Sequence, residues 1–278
     1  MTLIDGRQAA KELRAETTTQ ADELRSRGIM PTLAVVVPTD DEGTAWYVRS
    51  IARAAEKVGI NCRIEQLAQP DHDDIIVKLK SLASDDKVHG IICQTPLPEG
   101  VQLADVAAYI PPAKDVDGAN PTSLGRLAAD LETFPPATAE AVMVLLENNG
   151  DVLEGKNVTM VGRSTVVGTP ASLLLLNRGS TVTVCHRKTA DLEAECHSAD
   201  IVVVAAGAPG LITSRHVKPG ATVIDVGTTP TDDGNLAGDV DFDDVADVAG
   251  AITPVPGGVG PVTTQLLLRN TVVAAQRV

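Results

Sequence analysis

The chain has 278 residues and a formal net charge of −14, from 37 acidic against 23 basic side chains. That balance argues against a broad nucleic-acid or anionic-membrane surface, because both need basic patches. Hydrophobic residues make up 44% but aromatics only 2%, so a core must come from Val, Ile, Leu and Ala.

The opening segment MTLIDGRQAAKEL has no apolar signal region, and no run approaches the roughly 18 apolar residues of a membrane span. A cytoplasmic protein is the expectation. The first helical pattern is AAKELRAETTTQADELRSRG, and the apolar run TLAVVV (32–37) follows it. Residues 46–59, WYVRSIARAAEKVG, read as an amphipathic helix with Tyr47 and Ile51 on one face. DDIIVKLKSLASD is again helical, and GIIC (90–93) is a strand. At FPPATAE two prolines break the chain, and Thr138 reads as a helix N-cap for AEAVMVLLENNG. Further strand-like runs are NVTMVG (157–162), TVTVC (181–185), IVVVAA (201–206) and TVIDVG (222–227). Such short β-branched runs suit strands buried on both faces of a parallel sheet. A glycine-rich PVPGGVGP (254–261) precedes VTTQLLLRNTVVAAQRV, expected to form a last helix that returns to the first block. The alternation argues an α/β architecture with right-handed crossovers. The expected division is residues 1–137 plus 262–278 as one domain and 138–261 as the other. The four cysteines form no CxxC pair, and neither a metal site nor a disulfide framework is expected.

The segment NVTMVGRSTVVGTPASLLLLNRG reads as strand, glycine turn and helix. Gly162 ends the strand, Gly168 and Pro170 open the helix, and Ser164 and Thr165 offer hydroxyls and N–H groups at its start. A helix N-terminus favours phosphate through its free N–H groups and dipole. The spacing is not GxGxxG, so the loop also suits a tight turn without a ligand. The next strand ends in His186-Arg187-Lys188, where an NAD site usually carries a carboxylate for the ribose hydroxyl. With Arg163 these cations favour NADP over NAD; a solvated basic turn is the alternative.

These motifs, in this order, resemble the methylenetetrahydrofolate dehydrogenase/cyclohydrolase family over essentially the whole length. The resemblance rests on IDGRQAA, YVRS (47–50), CQTPLP (93–98), KDVDG (114–118), NPTSLGRL, VGRSTVVGTPASLLL, ADIVVVAAG, KPGATVIDVG and ITPVPGGVGPVT. It implies two domains around a cleft, an N-terminal folate domain and a Rossmann-like NADP domain. It also implies NADP-dependent oxidation of methylene-tetrahydrofolate, hydrolysis of the methenyl product in most members, and a homodimer. By the same resemblance Tyr47 lines the folate pocket, Gln94 is the active-site glutamine and Asp117 holds the pterin. Pro256, Gly257 and Gly258 approach substrate and nicotinamide. Gly162, Arg163, Ser164 and Gly168 match the family's cofactor loop, and with Thr165, His186, Arg187, Lys188 and Gly207 of ADIVVVAAG they make up the expected cofactor side. Taken alone, Asp117 suits a solvated turn, Gln94 a strand-end polar group and Tyr47 a half-buried core aromatic.

One departure stands out. The family has a catalytic lysine four residues after the tyrosine, and here that position is Ile51. Isoleucine transfers no proton, whereas positioned proton transfer is worth roughly 10²–10⁴-fold. Arg49 and Arg53 sit about 200° around the helix from it, and Lys57 also faces elsewhere. Thr44, Thr95, Ala137, Ala141, Ala208 and Val262 are further departures. The expectation is a dehydrogenase whose cyclohydrolase step is weak or lost. Three alternatives stay open: a bifunctional enzyme using another base, a non-catalytic folate- or NADP-binding paralog, and an enzyme acting on another pterin-like one-carbon carrier.

Overall fold

A computed structural model describes residues 1–231 and 234–277. Residue 278, the last of the expected first domain, lies outside them. In chain order the elements are β1 (Thr2–Leu3), α1 (Gly6–Ser26), β2 (Thr32–Val37), α2 (Glu42–Lys57), β3 (Asn61–Gln66), α3 (His72–Ala83) and β4 (Gly90–Cys93). Then come α4 (Leu103–Ala107), α5 (Pro121–Ala128), α6 (Ala137–Asn149), β5 (Asn157–Val161), α7 (Gly168–Asn177), β6 (Thr181–Cys185), α8 (Leu192–His197) and β7 (Ile201–Val204). β8 (Thr222–Asp225), β9 (Thr229–Pro230), β10 (Leu236–Ala237), α9 (Phe242–Ala246), β11 (Ala251–Ile252) and α10 (Val259–Gln276) complete it.

The chain divides into two compact units. One holds residues 1–10 and 138–263, the other 11–137 and 264–278. Residues 1–10, and residues 262 and 263, therefore depart from the expected division. For residues 1–10 the reason is backbone pairing: Thr2 and Leu3 lie parallel to Ala251 and Ile252, and Ile4 donates its N–H to the Ile252 carbonyl at 2.8 Å.

The unit of residues 11–137 and 264–278 is built on a parallel sheet in the order β3-β2-β4. Its central strand TLAVVV is buried at every position and GIIC likewise, as continuous apolar runs require when both faces are covered. The partner β3, NCRIEQ, is half exposed. It lies at the sheet edge, where alternating polar residues are tolerated, which is why no apolar run marks it. α3 packs Ile75, Leu79 and Leu82 with Ala34, Val36 and Ile91. α10 closes this unit: Asn270 Nδ2 donates to the Val116 carbonyl at 3.0 Å.

The other unit has a six-stranded sheet in the order β1-β11-β8-β7-β5-β6, with every pairing parallel. β7 and β8 are fully buried. β6, read from its sequence as a buried run, is largely exposed instead, with Val184 at 42%, because it is the edge strand. Thr138 is the second residue of α6 rather than its cap. The helix begins two residues earlier than that cap implies, with the Ala137 N–H accepted by the Asp117 carboxylate.

Candidate functional site

In the unit of residues 11–137 and 264–278, α2 carries the first group of residues. Asp41 caps it: its carboxylate accepts the Thr44 N–H at 2.7 Å. The Thr44 hydroxyl reaches the same carboxylate at 2.9 Å and the Thr95 carbonyl at 3.0 Å. The CQTPLP loop is thereby tied to the start of the helix. Gln94, half-buried at the end of β4, is held by its N–H to the Val36 carbonyl at 2.9 Å. The Thr95–Pro96 peptide is cis.

The buried stripe of α2 is Thr44, Val48, Ile51 and Ala55, one face at helical spacing. Ile51 has 0% of its surface exposed. Tyr47 borders this stripe and is half-buried. Its phenol is pushed above its usual value, first by burial and then by the Asp117 carboxylate, while a hydrogen bond with Thr264 opposes the shift. At neutral pH Tyr47 therefore keeps its proton and serves as a donor. Thr264, from α10, had no signal beyond its place in the PVTT run.

Asp117 stands on a loop whose order comes from a residue that sequence reasoning passed over. Asp115 is fully buried. Its carboxylate accepts the N–H groups of Ala119 and Asn120, each at 2.9 Å, and the Ser123 hydroxyl at 2.6 Å. Burial still holds its carboxyl above the usual value, with these three hydrogen bonds opposing the rise. Gly118 has φ +61, and a Cβ there would stand 2.4 Å from the Pro136 nitrogen, so only glycine fits. Asp117 itself accepts the Ala137 N–H at 3.4 Å. Burial, reinforced by the nearby Asp115 charge, pushes its carboxyl up to about 7, with the Ala137 hydrogen bond opposing. A carboxyl in that range exchanges a proton near neutral pH. Tyr47, Thr264 and Asp117 are thus drawn together.

The other unit carries the phosphate-type loop. Gly162 has φ +120, and its Cβ would stand 2.2 Å from the Ala205 carbonyl oxygen; one on Gly168 would stand 2.3 Å from the Gly162 oxygen. The turn closes only because neither has a side chain. Ser164 Oγ accepts the N–H groups of Val167 and Gly168 at 3.2 and 3.4 Å, and the Ser164 carbonyl accepts that of Thr169 at 2.9 Å. The N–H groups of Thr165 and Val166 have no acceptor among the described residues. Two such amides in the turn before a helix, beside an exposed Arg163, fit a phosphate. His186 is committed to its turn, with Nδ1 accepting the Lys188 N–H at 3.1 Å. Arg187 and Lys188 are exposed and form no ion pair among the described residues. No carboxylate ends β6. The donor set suits a nicotinamide dinucleotide bearing an extra phosphate.

Two buried acids missed from sequence shape the rest of this unit. Asp239 accepts the N–H groups of Ala206, Gly207 and Ala208 at 2.6, 2.9 and 2.8 Å. This holds the loop after β7, with Gly207 at φ +64. Asp225 accepts from Gly227, Asp239 and Val240 at 2.8, 3.0 and 3.0 Å. Burial pushes its carboxyl up to about 6, with Asp239 adding to the rise and the backbone donors opposing it. Gly257 and Gly258 are buried and Pro256 is exposed after a cis Val255–Pro256 peptide; the Gly257 carbonyl accepts the Gly6 N–H at 3.0 Å. Among the described residues no cluster of three or more His, Cys, Asp or Glu side chains could hold a metal ion, and no helix is long and apolar enough to cross a membrane.

Comparison with known proteins agrees on one family. Residues 4–117 match the catalytic domain of tetrahydrofolate dehydrogenase/cyclohydrolase, and residues 136–278 its NAD(P)-binding domain. A relative from Saccharopolyspora erythraea, named bifunctional protein FolD 1, is 56% identical over 275 residues, covering 99% of this chain and 94% of its own. The crystal structure of the bifunctional FolD dehydrogenase/cyclohydrolase from Campylobacter jejuni superposes with a TM-score of 0.97 at 40% identity, covering 100% of this chain and 99% of that one. The Trypanosoma brucei enzyme, complexed with NADP cofactor and inhibitor, gives 0.94 at 37% identity, covering 100% and 98%.

Proposed function

The chain belongs to the tetrahydrofolate dehydrogenase/cyclohydrolase family, and we propose that it oxidises 5,10-methylenetetrahydrofolate to the methenyl form with NADP and hydrolyses that product to 10-formyltetrahydrofolate. The observation that carries this reading is Asp117, a carboxyl raised to about 7 beside the Tyr47 phenol. Ionised, it accepts paired N–H groups from a 2-amino-4-oxo-pteridine edge. Gln94 offers an amide to the same substrate, and Tyr47 a ring and a hydroxyl donor.

The cofactor reading rests on the loop of Gly162, Arg163, Ser164, Thr165 and Gly168 for the phosphates. Arg187 and Lys188 serve the extra 2′-phosphate, and Gly207 and the Pro256–Gly258 segment lie to the nicotinamide side. The bound cofactor supplies the hydride acceptor. The protein's part in oxidation is orientation, and fixed geometry accounts for much of a barrier.

Hydrolysis asks for more, because water must lose a proton and a ring nitrogen must gain one. Asp117, engaged with the pterin edge, is not free to carry those protons, and it is the named activity of the relatives that favours the full pair of reactions. A second reading, with hydrolysis weak or lost, rests on Ile51: at the family lysine position stands an alkyl group with no exposed surface. One assay separates the two. The purified protein is given methylene-tetrahydrofolate and NADP, and NADPH formation and decay of methenyl absorbance are followed separately. Decay faster than the enzyme-free control supports the bifunctional reading. NADPH with accumulating methenyl product replaces it by the second. No NADPH at all overturns both.

A further inference from the structure

A hollow of about 500 Å³ opens on the outer side of α2, within the unit of residues 11–137 and 264–278. Four cations line it: Arg14 from α1, and Arg49, Arg53 and Lys57 from α2. The last three stand at successive four-residue steps, one ridge of the helix. All four are exposed, and none forms an ion pair among the described residues.

Their clustering runs against the charge of the molecule. The chain has 14 more acids than bases. Nearby, Arg63 pairs with Glu65 and Asp85, Lys78 with Glu65, and Arg25 with Asp22. Glu42 and Glu56, the acids of α2 itself, pair with none of the four. Like charges four apart weaken a helix, so the ridge works against local stability unless something neutralises it.

Gln265 of α10, only 9% exposed, and Trp46, 65% exposed, line the same hollow.

We infer that this hollow binds a small polyvalent oxyanion, a compound with several phosphates or carboxylates. Several cations around one cavity match several negative groups, and guanidinium forks match carboxylate and phosphate alike. Its lining residues all belong to one unit, and the inference does not depend on the roles given to Tyr47 and Asp117. Two sources offer this chemistry, a free polyphosphate and a chain of glutamyl carboxylates.

Trp46 is the single tryptophan of the chain, so its emission reports on this hollow. The full-length protein is titrated with inorganic tripolyphosphate in one arm and with tri-γ-glutamate peptide in the other. At least one produces a saturable change in Trp46 emission, weakened several-fold between about 25 and 150 mM salt, as screening of exposed charges demands. The Arg53→Gln, Lys57→Gln double variant, altered only at exposed positions, loses about tenfold in affinity. Arg53→Lys alone holds it to within a few-fold. The arm that saturates identifies the source. Emission unmoved by either probe up to about 10 mM, a concentration matching only a few kcal/mol of binding, overturns the site. So does an affinity the double variant leaves unchanged.

Discussion

The Asp117 carboxylate accepts the backbone N–H of Ala137, the first residue of α6, at 3.4 Å. A loop acid thus serves as the cap that Thr138 was expected to provide. The bond satisfies one orphan donor of the helix and holds the carboxylate beside Tyr47, while the fully buried Asp115 orders the turn beneath it. The same side chain closes a helix and offers itself to a ligand.

Affinity for the pterin should therefore depend on pH. With its carboxyl at about 7, the free enzyme must release a proton before Asp117 can accept two N–H groups. Folate affinity then rises by up to about tenfold per pH unit below 7 and levels off above it. Asp117→Asn flattens this profile and weakens folate while leaving NADP affinity unchanged. Equal folate affinity in the variant would return Asp117 to the role of a turn residue.

Stability should move the opposite way. The Asp117 carboxyl rises from 3.8 to about 7 on folding. Between those values the folded chain keeps a proton that the unfolded chain has released, so stability falls as pH rises through the window. Relative to the parent, Asp117→Asn gains up to a few kcal/mol between about pH 4.5 and 7.5. Urea midpoints at several pH values measure it; a difference independent of pH contradicts the shift.

Cofactor choice is tested at the end of β6. Arg187 is exposed and forms no ion pair among the described residues, and one cation–phosphate contact corresponds to about tenfold in affinity. Arg187→Ala should lower NADP affinity by that factor and leave NAD within about twofold. Equal use of NAD and NADP by the unmutated protein would remove the argument from these cations.

Ile51 invites the reverse substitution. Ile51→Lys puts an ammonium at a position with 0% exposure, at a cost of about 3 kcal/mol or more and a clearly lower Tm. Where the folded fraction is preserved, methenyl hydrolysis should rise. An unchanged Tm would show that the side chain escapes to solvent.

We also propose a homodimer through the cofactor-binding unit. Its support is the open edge strand β6 with Val184 at 42% exposure, and Leu176 of α7 at 50%. Unpaired strand edges with apolar side chains are rarely left uncovered. Light scattering at micromolar protein should give twice the chain mass, and Val184→Glu should shift it toward monomer. A monomer in the parent protein ends the proposal.

Much of the architecture was readable from residue pattern alone. TLAVVV, GIIC, NVTMVG, IVVVAA and TVIDVG became strands because β-branched runs of that length can be buried on both faces. Gly162 and Gly168 marked the phosphate-type turn because no other residue allows so close a backbone approach. These features depend on neighbours in sequence. The others depend on partners far along the chain. β3 lacks an apolar run because one of its sides faces no strand, and TVTVC is exposed for the same reason. Residues 1–10 joined the cofactor-binding unit through a ladder with residues 251–252 that no local pattern announces. Asp115, Asp225 and Asp239 look like turn acids on paper. Only three-dimensional packing buries them and converges backbone N–H groups upon them, because the donors come from loops up to 33 positions away. The pairing of Tyr47 with Thr264 and Asp117 arises in the same way, from a helix at the far end of the chain packing back against the first.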